Sequence, residues 1–124
     1  MRIGQLAAEA GVSIDTIRFW ERRGVLPAAP RTASGYRRYG EESLTRIRLA
    51  RRMQGLGLTL DEVIGALHAG DEGRASCESQ RWRLESALSR TESRIAELSL
   101  LRDSLREAVA ACDAGTCGFL PYPR

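Results

Sequence analysis

The chain has 124 residues, of which 43% are hydrophobic and 28% are charged, so it can bury a core and has room for about one domain with a helical extension. It contains no run of about 18 consecutive apolar residues, and its first residues lack the basic-then-apolar order of a secretory signal. We therefore expect a soluble cytoplasmic protein without a membrane span, and the length excludes a multidomain enzyme.

Although the net charge is only +3, the positive charge is concentrated in the first half of the chain. Residues 1–56 hold 11 basic and five acidic side chains, whereas residues 57–124 hold eight basic and 11 acidic ones. All of the basic residues are arginines, whose guanidinium groups suit bidentate contacts with phosphate or guanine. The first half is therefore the part predicted to face a polyanion.

The first two predicted elements are short helices separated by a tight turn. The first has apolar residues at helical spacing and is stopped by Gly11. The second follows Ser13, a good N-cap, and runs from Ile14 to about Arg23. Two short helices joined by a three-residue turn with a glycine are typical of a helix-turn-helix, whose second helix enters the major groove of DNA.

This second helix carries the candidate base-reading side chains. Ile17 is predicted to face inward, while Phe19 and Trp20 are each interpreted either as core residues or as surface residues. Polar and basic contacts with DNA are predicted from Thr16, Arg18, Trp20, Arg22 and Arg23.

A loop or hairpin follows, because Gly24 ends the second helix and Pro27 and Pro30 prevent it from resuming. Between Leu26 and Tyr39, a glycine marks the bend of a predicted wing. Its returning arm interleaves aromatic and basic residues, namely Tyr36, Arg37, Arg38 and Tyr39. Such a ribbon suits the phosphates and the minor-groove edge of DNA, because guanidinium groups neutralise charge while the rings pack against sugars.

Two more helices are predicted before a boundary. One begins at Glu41 and ends at the segment Gly55-Leu56-Gly57. The next is capped by Thr59, with Glu62 completing a capping box. The glycines of the following segment HAGDEGRAS indicate the end of the basic part of the chain.

A single long helix is predicted from Cys77 to Cys112, a stretch without proline or glycine. Alternating steps of four and three residues along it reach mostly aliphatic side chains, with Arg81 and Arg102 as exceptions. This is the pattern of a coiled-coil seam over five heptads. A lone helix of this length cannot bury such a stripe within a small protein, so it is expected to dimerise.

Parts of the sequence closely resemble the signature of the MerR-type transcription regulators. They are TIRFWERRGVLP at residues 16–27, the nearby Arg31, and GYRRY at residues 35–39. The resemblance covers nearly the whole chain and implies a mostly α-helical homodimer, with a winged helix-turn-helix at each end of an antiparallel coiled coil. When the residue pattern and this resemblance are taken together, the predicted DNA contacts are Thr16, Arg18, Trp20, Arg31, Tyr36, Arg37 and Arg38.

The resemblance also implies how such a protein acts. The dimer binds a palindromic operator in a promoter with an unusually long spacer, and effector binding lets it bend and untwist the DNA so that RNA polymerase can use the promoter. Phe19 and Trp20 depart from the family pattern, because most members have two tyrosines there, whose phenols can bond a phosphate.

The three cysteines are the candidate effector site. Cys77 and Cys112 lie 35 residues apart, about 50 Å along one helix, so they cannot share an ion within one chain. In an antiparallel pair, Cys77 of one subunit meets Cys112 of the other, and Cys117 closes over them from the adjacent loop. The resemblance agrees, because the family's divalent-metal sensors have cysteines at these three places. Two equivalent three-thiolate sites per dimer are therefore predicted.

Three thiolates favour a soft divalent ion such as mercury, lead or cadmium over zinc, which normally takes four ligands. His68, the only histidine, is interpreted as an ordinary residue rather than as a fourth ligand. The alternative is a thiol or redox sensor on the same scaffold, in which Cys112 and Cys117 form a reversible disulfide. An enzyme is disfavoured, because the sequence has no paired carboxylates, phosphate-binding loop or nucleophile beside a base.

The predicted chain thus has three parts. Residues 1–70 form a winged helix-turn-helix DNA-binding domain with its connecting helices. Residues 75–111 form the coiled-coil dimerisation helix, and residues 112–124 form a C-terminal metal-binding loop and tail.

Overall fold

The computed structural model describes residues 1–116, and these fold mainly as helices. In chain order the helices are α1 (Ile3–Ala10), α2 (Ile14–Arg23), α3 (Glu41–Gly55), α4 (Leu60–Asp71) and α5 (Cys77–Asp113). The mostly α fold with a helix-turn-helix and one long helix is therefore confirmed. None of the helices in this part of the chain is both long and apolar enough to span a membrane.

The ends of the short helices follow the local signals in the sequence. Gly11 and Gly24 end α1 and α2 in the left-handed conformation, with φ of 70° and 86°, which a residue with a side chain rarely adopts. At the start of α4, the hydroxyl of Thr59 accepts a hydrogen bond from the N–H of Glu62, and the Glu62 carboxylate accepts one from the N–H of Thr59. These caps fix where the helices begin and end, and thus which side chains each presents.

The first compact unit comprises residues Met1–Ala87. Within it, α1 packs against α2 and α3, and α3 packs against α4. Ala87, on α5, belongs to the same buried cluster. The unit therefore includes the first turns of α5 and extends beyond the glycine-rich segment that follows residue 68. Its largest fully buried side chains are Leu6, Ile17, Val25, Leu26, Ile47 and Val63.

The chain from Leu88 onward forms the second unit, whose helical part is the rest of α5. Aliphatic side chains recur along this part at the spacing of one helix face, and each is more than half exposed: Leu88, Ile95, Leu98, Leu105 and Val109. Leu101, next to the seam position held by Arg102, is also more than half exposed. An exposed apolar stripe along a long helix is typical of a surface that another chain covers.

Candidate DNA interface and thiol ligands

Helix α2 is anchored at its N-terminus by Ser13. The Ser13 hydroxyl accepts a hydrogen bond of 3.0 Å from the N–H of Thr16, and the two hydroxyls lie 2.9 Å apart. The predicted contact Thr16 therefore takes part in the cap, while Arg18 is exposed on the outer side of the helix. This arrangement presents the start of α2 and the Arg18 guanidinium to a partner.

Trp20, one of the predicted DNA contacts, lies in the core, and its side chain is only 4% exposed. Residues three apart share one face of a helix, so the burial of Ile17 carries Trp20 inward as well. The neighbouring Phe19 is the exposed aromatic residue, at 40%. The Arg22 and Arg23 guanidinium groups each lie 5.8 Å from the centre of its ring.

The wing is a short ribbon that one antiparallel bridge, between Arg31 and Arg37, holds together. The N–H of Thr32 donates to the carbonyl of Tyr36 at 2.8 Å, and the Arg31 guanidinium donates to the carbonyl of Gly35 at 2.8 Å. Gly35 has a φ of 87°, as the tight bend requires. Arg31 therefore shapes the wing's tip as well as remaining exposed at its surface.

Of the two tyrosines on the returning arm, only Tyr36 lies at the surface. The Arg2 guanidinium stacks over the Tyr36 ring at 3.7 Å, and hydrogen bonding from Arg2 holds the pKa of Tyr36 below its usual value. Arg38, another predicted DNA contact on this arm, is also exposed. Tyr39 is 2% exposed, so the prediction that its ring packs against DNA sugars is wrong. Its backbone N–H donates to the carbonyl of Met1, and its ring is part of the core.

Glu21 of α2 bonds two residues of the wing. One carboxylate oxygen lies 2.6 Å from the Arg37 guanidinium, and the other accepts a hydrogen bond of 2.6 Å from the Tyr39 hydroxyl. Burial, and then the bond to the Glu21 carboxylate, raise the pKa of Tyr39 to about 12. Sequence reasoning did not single out Glu21, since nothing local to it shows which residues its side chain meets.

Helix α2 and the wing enclose a cleft of about 620 Å³. Four of the predicted DNA contacts, Arg18, Arg31, Tyr36 and Arg37, lie together in its walls. Arg2 also lines it, which the sequence pattern did not indicate. The walls contain five arginines and one acidic residue, Glu21. The arginines are Arg2, Arg18, Arg22, Arg31 and Arg37. The cleft is therefore suited to a polyanion.

Several other arginines of the first half hold the fold together. Arg51 donates from Nη1 to the carbonyls of Ala10 and Gly11, at 3.0 and 3.1 Å, and so closes the turn between α1 and α2. Arg46 donates to the carbonyl of Val25 and pairs with both carboxylate oxygens of Asp71, at 2.7 and 2.9 Å. The bond from Arg46 lowers the pKa of Asp71. The excess of arginine in the sequence thus overstates the charge available to DNA.

The thiols lie at the two ends of α5. Cys77 is its first residue and is exposed, whereas Cys112 lies in its last turn and is half-buried. Cys117 lies outside the described residues. Within residues 1–116 of one chain, no three cysteine, histidine or acidic side chains are grouped so as to hold a metal ion. His68 is used elsewhere, because its Nε2 lies 3.2 Å from the carbonyl of Gly24, at hydrogen-bond distance.

Comparison with known proteins identifies the family. The family model for MerR HTH family regulatory proteins matches residues 1–69, more than half of the chain, and a second model, MerR, DNA binding, matches residues 44–108. The chain belongs to the MerR family. A MerR-family chain is a DNA-binding regulator of transcription and not an enzyme, so both expectations are confirmed.

Its MerR relatives include a regulator named for mercury and a regulator whose crystal structure contains lead(II). A mercuric resistance operon regulatory protein of Serratia marcescens is 37% identical over 92% of this chain and 78% of its own length. The regulator ZntR of Escherichia coli K12 is 34% identical over 90% of this chain and 79% of its own length. The crystal structure of PbrR691 from Ralstonia metallidurans CH34, in complex with lead(II), has a TM-score of 0.80 and 29% identity, and covers 90% of this chain and 86% of that one.

The buried tyrosine of this MerR-family DNA-binding unit makes its stability sensitive to high pH. The pKa of Tyr39 is about 12 in the folded chain and about 10 when unfolded, so only the unfolded chain loses the proton between these values. We expect the free energy of unfolding to fall by about 2 kcal/mol from pH 10 to pH 12. Denaturant unfolding followed by circular dichroism would measure it. Tyr39→Phe should remove this fall and Tyr36→Phe should keep it, and an equal fall in all three proteins would contradict the assignment.

Proposed function

We propose that this chain is a metal-responsive regulator that binds a palindromic promoter operator as a homodimer. It activates transcription by distorting the DNA when a soft divalent metal is bound. Mercury, lead and cadmium are the favoured ions, and zinc is less favoured. The observation that carries the proposal is the helix α5, which has an exposed apolar face and a cysteine at each end.

The homodimer is supported by the exposed apolar side chains of α5. Burying a leucine-sized side chain is worth about 1.5–3 kcal/mol, so five such residues from each chain supply a large driving force for pairing. A second copy of the same helix is the occupant that fits, because its stripe has the same spacing and length. We propose that the two copies run antiparallel.

The antiparallel arrangement makes the metal site a property of the dimer. Cys77 and Cys112 are separated by 35 residues of one helix, so a shared ion requires thiols from two chains. We assign each site to Cys77 of one subunit with Cys112 and Cys117 of the other. Thiolates are soft ligands, and a bound ion would supply bonds that link the two subunits. The relatives named for mercury and the lead(II) complex support the same class of ion.

The DNA contacts are assigned from the cleft between α2 and the wing. Helix α2 is proposed to enter the major groove, with Thr16 and Arg18 near base edges. The remaining contacts follow the phosphate backbone from the wing, through Arg31, Tyr36, Arg37 and Arg38. In the metal-bound state the dimer is proposed to bend and untwist the promoter so that RNA polymerase can engage both of its elements.

A titration of the reduced protein with mercury, lead, cadmium and zinc tests the metal proposal. We expect absorption from thiolate-to-metal charge transfer that saturates at one ion per subunit, with a soft ion bound more tightly than zinc. Absence of stoichiometric binding would reject it. In that case, the loss of two hydrogens under mild oxidation, with a Cys112–Cys117 disulfide found by peptide mass mapping, would support the redox alternative.

A further inference from the structure

A carboxylate lies in the wall of the arginine-rich cleft. The side chain of Glu21 is 11% exposed, and it is the single acidic side chain in a lining that contains five arginines. A negative charge at this place weakens the attraction of the cleft for any polyanion. Its role must therefore come from the residues that it holds.

Glu21 links the wing to the helix that is proposed to read bases. It lies on α2, whereas its two partners, Arg37 and Tyr39, lie 16 and 18 residues later on the returning arm of the wing. The bond to Arg37 uses Nη1, one of the two terminal nitrogens of a guanidinium group that carries five N–H donors. The carboxylate thus fixes the direction of the guanidinium and leaves donors that can meet a phosphate.

We propose that Glu21 is a positioning residue for the recognition of specific DNA. By holding Arg37 and Tyr39, it sets the position of the wing relative to α2, so that Arg37 meets a phosphate only where the DNA backbone follows that geometry. Glu21 then lowers the affinity for unrelated DNA more than the affinity for the operator. This inference rests on the proposed use of α2 and the wing in DNA binding.

The variant Glu21→Gln tests the proposal, because it keeps an acceptor for Tyr39 and loses the ion pair with Arg37. The full-length protein would be titrated with a duplex that it selects from a random-sequence pool, and with a scrambled duplex of the same length. We expect the released Arg37 of each subunit to neutralise one more phosphate of the scrambled duplex. For the proposed dimer, binding should then strengthen by roughly 60-fold at 0.1 M salt, with a salt slope steeper by about 1.8. The selected duplex should gain less, so the ratio of the two affinities should fall.

A double-mutant cycle separates positioning from simple charge. In the Arg37→Gln background, Glu21→Gln should no longer change the ratio of the two affinities. The matched control is Asp15→Asn, which removes an exposed carboxylate from the same helix and should strengthen binding to both duplexes by one common factor in either background. Tyr39→Phe, which removes one bond to Glu21 and keeps the ring in the core, should shift the ratio in the same direction by less.

Two results would overturn the proposal. One is an unchanged affinity ratio in Glu21→Gln, and the other is an equal change of that ratio with and without Arg37. If Glu21→Gln does not fold, as judged by circular dichroism, an unchanged ratio in Tyr39→Phe would overturn it instead. Failure of the wild-type protein to select any duplex would count against the proposed DNA-binding function, which is a separate outcome.

Discussion

Cys77→Ser is expected to abolish stoichiometric binding of a soft divalent metal and to leave the affinity for the operator nearly unchanged. A neutral hydroxyl is a poor substitute for a thiolate as a ligand of a soft ion. Changing a residue that only contacts a metal ligand costs about 10–100-fold in metal affinity, so losing the ligand itself should cost more than about 100-fold. Cys77 is exposed at the start of α5, so the change removes little packing. Competition with a thiol chelator would measure the metal affinity, and fluorescence anisotropy of labelled DNA the operator affinity.

Mixing two defective chains provides the decisive control. If each site takes Cys77 from one subunit and Cys112 from the other, a heterodimer of Cys77→Ser and Cys112→Ser chains contains one complete site and one site that lacks both thiols. The mixture should therefore recover metal binding, up to one ion per heterodimer, although neither variant binds metal alone. No recovery after the chains are unfolded and refolded together would contradict a site shared between Cys77 of one subunit and Cys112 of the other.

Loss of operator binding in Cys77→Ser would lead to a different conclusion. The N–H of Gln80 donates to the Ser76 carbonyl and the hydroxyls of Ser76 and Ser79 cap the first turn of α5, so Cys77 sits within a local hydrogen-bonded start of the helix. If DNA affinity fell with metal affinity, Cys77 would be a structural residue of this helix start. Circular dichroism of the variant would then show reduced helix content.

The helices and their ends were predictable because their signals are local. The glycine at position 11 and the Thr59–Glu62 capping box each act within a few residues, and the structure has them as predicted. The spacing of apolar residues on α5 is equally local, since it depends only on the helical repeat. The family resemblance covers these same segments, so the pattern of the sequence and the matching family models agree.

The partners of the arginines were not predictable in the same way. Arg46 meets Asp71 across 25 residues, and Arg51 meets the carbonyl of Ala10 across 41 residues. Such contacts exist only once α3 has packed against α1 and α4, so no spacing rule in the sequence indicates them. The same holds for Glu21, whose partners are on the wing. Charge counts therefore predicted a basic surface but not which guanidinium groups remain at it.

The two adjacent aromatic residues of α2 are expected to differ sharply in their effect on stability. Trp20→Ala removes a buried indole from the core, and such truncations cost about 3–5 kcal/mol through lost transfer energy and the cavity that remains. Phe19→Ala removes a ring that is 40% exposed, so its cost should be below about 1 kcal/mol.

Unfolding in guanidinium chloride, followed by circular dichroism at one fixed protein concentration, would give the free energy of unfolding of the two variants and of the wild type. The concentration matters because association would stabilise the proposed dimer. Phe19→Ala is also the better probe of DNA contact, because it changes a ring that lies beside Arg22 on the exposed side of α2. Equal destabilisation by the two variants would mean that Phe19 is also packed against another part of the protein. A stable Trp20→Ala variant would contradict the placement of Trp20 in the core, and with it the orientation of the whole helix.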